Sequence, residues 1–320
     1  MTRPARHAPR SGAAASVGAP AELHLHRGMI PPVVTLPAMA RVITTDQGLG
    51  LLDADGDNVT LLSLAARDLG AALEQGMTVQ EIVLAPTREK VPLSQVRVLP
   101  PVVRPSKIWA LGLAYASHVG EMGRQQDAEP YFFLKAPSSL TGAGQPIVLP
   151  KIAPDHVDYE GEVALVIGRR ATHISADQAW SHVAGVTILN DVSARDVQQG
   201  THLAGARANT SMGKSFDTFT PCGPCVATLD EFPNADDIEL ETFVNGERRQ
   251  HSRTSTLIWP VSFLLSFLSA RTTLLPGDIV STGTPAGVGH AEARYLHPGD
   301  SVSIRVTGVG ELTSAVVAAR

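Results

Sequence analysis

Two apolar runs bordered by carboxylates set the tightest limit on how this chain can fold. Val163-Ala164-Leu165-Val166-Ile167-Gly168 follows Asp158-Tyr159-Glu160-Gly161-Glu162, and Gly185-Val186-Thr187-Ile188-Leu189-Asn190 runs into Asp191. Short apolar runs of this kind read as buried β-strands. Side chains two apart on a strand share a face, so Glu160 and Glu162 project together, and a neighbouring strand can bring Asp191 to the same point. An isolated Glu-x-Glu usually meets only solvent. Three clustered carboxylates repel unless a cation sits among them. The set is all oxygen, which suits a hard ion, and few protein ligands leave room for water and substrate. Mg²⁺ fits best, with Mn²⁺ or Ca²⁺ as alternatives.

The rest of the chain narrows the partners. With 26 basic and 31 acidic residues the formal net charge is −5, and no basic stripe offers itself to nucleic acid or to an anionic membrane surface. The densest apolar stretch, Leu257 to Ala270, is shorter than a bilayer span and is broken by Pro260 and three serines. Val261, Leu264, Leu265 and Leu268 instead carry the stripe of an amphipathic core helix with Pro260 in its first turn. Residues 1–38 read as a disordered N-terminal extension without a secretory apolar region; His24 and His26 lie in it. Residues 39–104 read as a small domain: hairpin patterning around Arg41–Asp53 with a turn at Asp55–Asn58, then a helical pattern through Leu62–Gly70. The Pro-rich crossing Leu99–Pro105 links it to residues 105–320. Only two cysteines are present, which argues against a disulfide framework and fits a reducing cytoplasm.

Five further segments accompany the carboxylates: Gly112-Leu113-Ala114-Tyr115-Ala116-Ser117-His118-Val119-Gly120-Glu121, Phe133-Leu134-Lys135-Ala136-Pro137-Ser138-Ser139-Leu140, Asn190-Asp191-Val192-Ser193-Ala194-Arg195-Asp196-Val197-Gln198, Gly213-Lys214-Ser215-Phe216-Asp217-Thr218-Phe219 and Thr282-Gly283-Thr284-Pro285-Ala286-Gly287-Val288-Gly289. Together they resemble the fumarylacetoacetate hydrolase family, in unbroken order over about residues 105 to 318. The resemblance implies an α+β protein whose catalytic domain is a mixed β-roll, with a small β-rich N-terminal domain, and a homodimeric assembly. It implies a cation, usually Mg²⁺, held by Glu160, Glu162 and Asp191, and small-molecule substrates that are 2-oxo or 1,3-dioxo carboxylates.

His118 and Glu121, three apart in a segment able to form a short helix, make a general-base dyad: a carboxylate on one imidazole nitrogen raises the basicity of the other. The order matches the family's mobile-lid motif. Arg195 and Gln198 share one helical face, and by resemblance they bind substrate around the metal. Lys214, between a glycine and an aromatic run, is expected to turn inward and hold a substrate carboxylate or the oxyanion. Lys135 is as readily a strand-end lysine as a substrate contact, and Thr284, in a Gly-rich loop, matches a substrate-contacting threonine. Asp158 reads as an acid supporting the site and His156 as a loop residue. The family's usual Gly-Leu-Asn-Tyr is Gly112-Leu113-Ala114-Tyr115 here, which leaves open what an amide at position 114 would have reached.

The leading expectation is metal-dependent hydrolysis of a C–C bond in an acylpyruvate or related dioxo acid. Decarboxylation of an oxaloacetate-like acid, or isomerisation or hydration of an oxo-diacid, would use the same site. A rival of another class is a dithiol redox protein through Cys222-Gly223-Pro224-Cys225, but the residues that follow are strand-like where a thioredoxin-type pair opens a helix. Gly213-Lys214-Ser215 lacks the upstream glycine of a phosphate loop, since position 208 is Ala208.

Overall fold

The computed structural model describes residues 40–320. The extension expected over residues 1–38, with His24 and His26, lies outside the described residues. The hairpin patterning gives strands β1 (Arg41–Thr45), β2 (Gly48–Leu52) and β3 (Asn58–Leu62). The helical pattern expected over Leu62–Gly70 does not hold: Leu62 closes β3, and helix α1 (Leu69–Glu74) begins only after Asp68, whose side chain accepts the Ala71 N–H as an N-cap. Then come α2 (Val79–Val83), β4 (Thr87–Pro92), β5 (Ile108–Gly112), α3 (Ala116–Glu121) and β6 (Tyr131–Lys135). β7 (Leu140–Thr141), β8 (Ile147–Leu149), β9 (Val157–Asp158), β10 (Gly161–Ile167) and β11 (Val183–Asn190) follow. The remainder comprises β12 (Ser193–Ala194), α4 (Arg195–Gln199), α5 (Thr210–Gly213), β13 (Thr220–Ala227), β14 (Glu239–Val244), β15 (Glu247–Arg253), α6 (Val261–Ser269), β16 (Ile279–Ser281), β17 (Ser301–Val306) and β18 (Gly310–Ala318).

Among the described residues these strands build an 11-stranded sheet in the order β4-β3-β2-β1-β13-β11-β10-β16-β5-β6, with β7 paired to β13 off that path. A five-stranded sheet runs β15-β14-β17-β18-β8, and β9 pairs with β12 apart from both. Parallel ladders at β16–β5, β13–β7 and β18–β8 interrupt otherwise antiparallel pairing, so the fold is a mixed α+β arrangement dominated by sheet. β1 lies against β13, with Arg41 opposite Ala227 and Val42 opposite Val226, so residues 40–104 add their strands to the sheet that carries the carboxylates. The described residues belong to one compact unit.

Burial follows the patterns in the sequence. β10 and β11 are buried along their whole length, as uninterrupted apolar runs require, whereas β14 alternates buried with half-buried positions and keeps one face toward water. The two sheets close on each other at Gly161: a Cβ there would lie 2.1 Å from Thr242 Oγ1 and 3.3 Å from Ile304. The residue between the two glutamates therefore has to be glycine. On α6, Val261, Leu264, Leu265 and Leu268 are all buried, and Pro260 stands just before the first turn. No helix among the described residues is long and apolar enough to cross a membrane.

Cys222 and Cys225 lie inside β13, where Cys222 stands opposite Leu189. Both are free and fully buried, and burial pushes each thiol up to about 12. This is the reverse of the depressed pKa that a redox dithiol needs.

Candidate active site

β10 and β11 run antiparallel with Gly161 opposite Asn190, so the residue before the first and the residue after the second become neighbours. The Asp191 N–H donates to the Glu160 carbonyl at 2.8 Å, and the Asn190 side chain accepts the Glu160 N–H at 3.0 Å. Glu162 completes the set: one carboxylate oxygen from each of Glu160, Glu162 and Asp191 lies within 4.8 Å of the others, and all three residues are buried. Glu162 Oε2 accepts from the Ser281 hydroxyl and, at 3.0 Å, from the Gly283 N–H. Gly283 can approach this closely because its φ is +89° and it lacks a Cβ, which would stand 2.5 Å from that of Ala114. Glu162 Oε1 is buried with no hydrogen-bond partner among the described residues. An orphaned carboxylate oxygen in a buried, all-oxygen cluster fits a hard divalent cation.

Three cations surround this cluster. Lys214 Nζ donates to Glu160 Oε2 and Asp191 Oδ2 at 2.7 Å each. Lys135 Nζ donates to Asp191 Oδ1 and to the Lys214 carbonyl, both at 2.5 Å. Arg195 reaches Glu160 Oε1 at 2.7 Å while its Nε and Nη2 are clamped by Asp158 Oδ2 at 2.9 and 2.6 Å. Burial opposes the charge on Glu160, but Lys214 and Arg195 outweigh it and hold the carboxyl below its usual range. Glu162 goes the other way: burial, then the neighbouring Asp191 and Glu160 charges, push it well above the carboxylate range. Burial also lowers Lys135, with Asp191 only partly compensating, whereas Asp191 and Glu160 overcome burial at Lys214 and raise it.

A cavity of about 660 Å³ opens over the cluster, and His118, Glu160, Arg195, Gln198, Lys214 and Thr284 all contribute to its wall. His118 sits on α3 with Nδ1 at 3.1 Å from Glu121 Oε2, and Glu121 Oε1 accepts the Gly287 N–H at 2.8 Å. Burial raises the Glu121 carboxyl, but the hydrogen bonds from His118 and Gly287 prevail and hold it low. A carboxylate can only accept, so Nδ1 carries the proton and Nε2 is left as a base. Gln198 Oε1 accepts from Arg195 Nη1 at 3.1 Å. The Thr284 hydroxyl donates to the Gly161 carbonyl at 2.9 Å and accepts from the Gln250 amide at 2.7 Å, so it braces the bend between the glutamates from the cavity side.

Lys135, open in the sequence between a strand-end lysine facing solvent and a substrate contact, is fully buried with its ammonium drawn onto Asp191. Ala114, where an amide would have been informative, is likewise wholly buried against Gly283 and does not line the cavity. Asp158 has a larger part than its sequence position reveals, because it also accepts the N–H groups of Gly289 and His290 at 2.8 and 3.0 Å. His156 lies beside Asp196 and Tyr295, away from the carboxylate set.

The Fumarylacetoacetate (FAA) hydrolase C-terminal family model matches residues 107–317. Oxaloacetate tautomerase FAHD2B, mitochondrial, of Bos taurus is 36% identical over 280 residues, which cover 86% of this chain and 86% of that protein. The crystal structure of 2-hydroxyhepta-2,4-diene-1,7-dioate isomerase from Mycobacterium marinum matches with a TM-score of 0.68 at 34% identity, covering 88% of this chain and 98% of that one. The fumarylacetoacetate hydrolase (EaFAH) from psychrophilic Exiguobacterium antarcticum matches with a TM-score of 0.73 at 32% identity, covering 88% of this chain and 100% of that one.

Proposed function

The chain belongs to the fumarylacetoacetate hydrolase family, which includes tautomerases, isomerases and hydrolases, and on that premise we propose that it is a divalent-cation-dependent tautomerase or isomerase of a 2-oxo carboxylate. The observation that carries this reading is the position of His118 on the wall of the cavity that also exposes Glu160, with Nδ1 tied to Glu121 and Nε2 left to move a proton. Glu160, Glu162 and Asp191 would hold a divalent cation, whose positive charge would lower the cost of forming an enolate from a 2-oxo acid. His118 Nε2 removes a proton from the carbon beside the oxo group. It returns that proton either to the oxygen, which is tautomerisation, or to a carbon further along a conjugated chain, which is isomerisation. Arg195 and Lys214 line the same cavity, and the donors not spent on Asp158, Glu160 and Asp191 hold the substrate carboxylate. Asp158 and Glu121 touch no substrate; they fix the orientation of Arg195 and His118.

Hydrolysis of an acylpyruvate is the second reading, favoured by the likeness to the Exiguobacterium hydrolase. The same dyad would then take a proton from a water attacking the far carbonyl, and the leaving carbon would depart as the enolate. One experiment addresses both. Proton NMR in D₂O follows exchange beside the oxo group of oxaloacetate and of an acylpyruvate, with Mg²⁺ or with chelator, in the parent and in His118→Ala. Cation-dependent exchange that His118→Ala abolishes, without release of pyruvate, supports the first reading. Release of pyruvate together with the matching carboxylic acid from the acylpyruvate supports the second, and absence of exchange and cleavage on every 2-oxo acid tried refutes both.

A further inference from the structure

β15 has one buried position, and it is polar: Gln250 turns its side chain inward among exposed or half-exposed neighbours. Its amide is fully engaged. Oε1 accepts the Gly161 N–H at 3.0 Å, and Nε2 donates to the Thr284 hydroxyl at 2.7 Å and to the Pro285 carbonyl at 2.9 Å. A backbone N–H can only donate and a carbonyl can only accept, so the amide is fixed in this sense and cannot be turned over. The Thr284 hydroxyl passes the chain of bonds on to the Gly161 carbonyl. Gly161, Gln250 and Thr284 thus close a ring that clasps the peptide units before and after the glycine, and those two units set where Glu160 and Glu162 point. Gln250 itself is buried behind Thr284, the member of the ring that lines the cavity.

The stretch that Gln250 grips also supplies orienting contacts throughout the site. Between positions 281 and 290, the Ser281 hydroxyl and the Gly283 N–H donate to Glu162, the Gly287 N–H to Glu121, and the Gly289 and His290 N–H groups to Asp158. The stretch rests directly on β15: a Cβ at Gly287 would stand 2.0 Å from the Arg249 carbonyl. We infer that Gln250 is a positioning residue for the cation site. From the second sheet it sets the bend that makes Glu160 and Glu162 converge, and it holds the segment that orients His118 through Glu121 in the same register. The inference rests on the proposed function only in assigning a divalent cation to the carboxylates and proton transfer to His118.

The test is calorimetric titration of Mg²⁺ into chelator-stripped protein with no substrate present. Gln250→Met keeps the length of the side chain and loses its three hydrogen bonds, and Mg²⁺ affinity should fall about 10- to 100-fold, as it does when the support behind a metal ligand is removed. Thr284→Val opens the same ring at another point and should weaken Mg²⁺ comparably, whereas Thr284→Ser keeps the hydroxyl and should stay within about threefold of the parent. Gln250→Met combined with Thr284→Val should be no more than about twofold weaker than the weaker single variant, because a ring opened once is open. Losses that multiply, or a folded Gln250→Met that binds Mg²⁺ within about twofold of the parent, overturn the assignment. If Gln250→Met does not fold, Gln250→Asn takes its place: its amide is one methylene too short to bridge Gly161 and Thr284, and a loss of at least about fivefold is expected. A glutamine that only stabilised the fold would lower the melting temperature in chelator and leave the Mg²⁺ Kd of the folded variant unmoved. At saturating Mg²⁺, proton exchange on oxaloacetate should lose about tenfold in kcat with KM within about twofold, since Gln250 touches no substrate; an unchanged kcat overturns its reach to His118. Mg²⁺ affinity that responds to Gln250 in a protein that exchanges no proton sinks the proposed function alone. Exchange in the parent, with Mg²⁺ affinity indifferent to Gln250, sinks the role of Gln250 alone, and a parent that binds no Mg²⁺ sinks both.

Discussion

Glu162→Gln removes one charge from the carboxylate cluster with almost no change in shape, and its effect on the metal-free protein follows from the geometry. Oxygens of Glu160, Glu162 and Asp191 lie within 4.8 Å, and like charges at that separation cost about 3 kcal/mol per pair at an effective dielectric near 20. Lys214 and Lys135 return part of this. The Glu162 carboxyl is pushed well above its usual range by burial, then by Asp191 and Glu160. A carboxyl with a raised folded pKa binds its proton more tightly in the folded chain, so its contribution to stability is fully present below the unfolded pKa. It is lost as pH rises toward and through the folded value, at about 1.4 kcal/mol per pH unit. In chelator, Glu162→Gln should therefore melt close to the parent at pH 5 and be more stable by about 2 kcal/mol at pH 8, or roughly 4 °C. Mg²⁺ at a hundred times its Kd should stabilise the parent by about 2.7 kcal/mol and the variant hardly at all. Differential scanning fluorimetry over this pH series, with and without Mg²⁺, measures both. Parallel pH profiles in chelator, or an undiminished Mg²⁺ response in Glu162→Gln, would refute the reasoning.

His118→Ala should lower proton exchange by about 10²- to 10⁴-fold while leaving oxalate affinity within about twofold, because the base acts on a proton and oxalate answers mainly to the cation; calorimetry beside exchange rates separates the two. Asp158→Asn should cost about 3–5 kcal/mol of stability in urea denaturation, since Arg195 loses its buried counter-charge; a loss below about 1 kcal/mol would mean that Glu160 alone can hold the guanidinium. Native protein should resist iodoacetamide at pH 8, and Cys222→Ala with Cys225→Ala should keep its turnover, because both thiols are buried and pushed up to about 12. Rapid alkylation, or disulfide reductase activity lost in the double variant, would contradict the structural role assigned to the pair.

What the sequence reveals here is local. Glu160, Glu162 and Asp191 are legible because the period of a strand and one antiparallel pairing suffice to gather them, and α6 is legible because its stripe repeats at helical spacing. The partners that tune the site come from afar. Asp158 finds Arg195 across 37 positions, Ser281 finds Glu162 across 119, and Gln250 reaches Thr284 across 34. No periodicity encodes such contacts. Lys135 shows the limit most plainly: a lysine at a strand end reads as solvent-facing or substrate-facing, and only the placement of Asp191 beside β6 reveals that it is consumed inside the protein. Ala114 has the same lesson in apolar form, since its burial depends on Gly283 arriving from a distant loop.

The pairing of β1 with β13 bears on how such a chain can be cut and recombined. The match to the C-terminal family model begins at residue 107, yet the hydrogen-bonded sheet passes through that point without a seam. A chain shortened to begin at 107 would lose the strand that covers Val226 and Ala227. It would bare the backbone N–H and C=O groups of β13 along an edge backed by apolar side chains, a template for self-association. Exchanging the first hundred residues between relatives is therefore a problem of matching a strand register, and a graft that shifted β1 by one position would send Val42 and Ile43, each buried in a different apolar cluster, to the wrong faces.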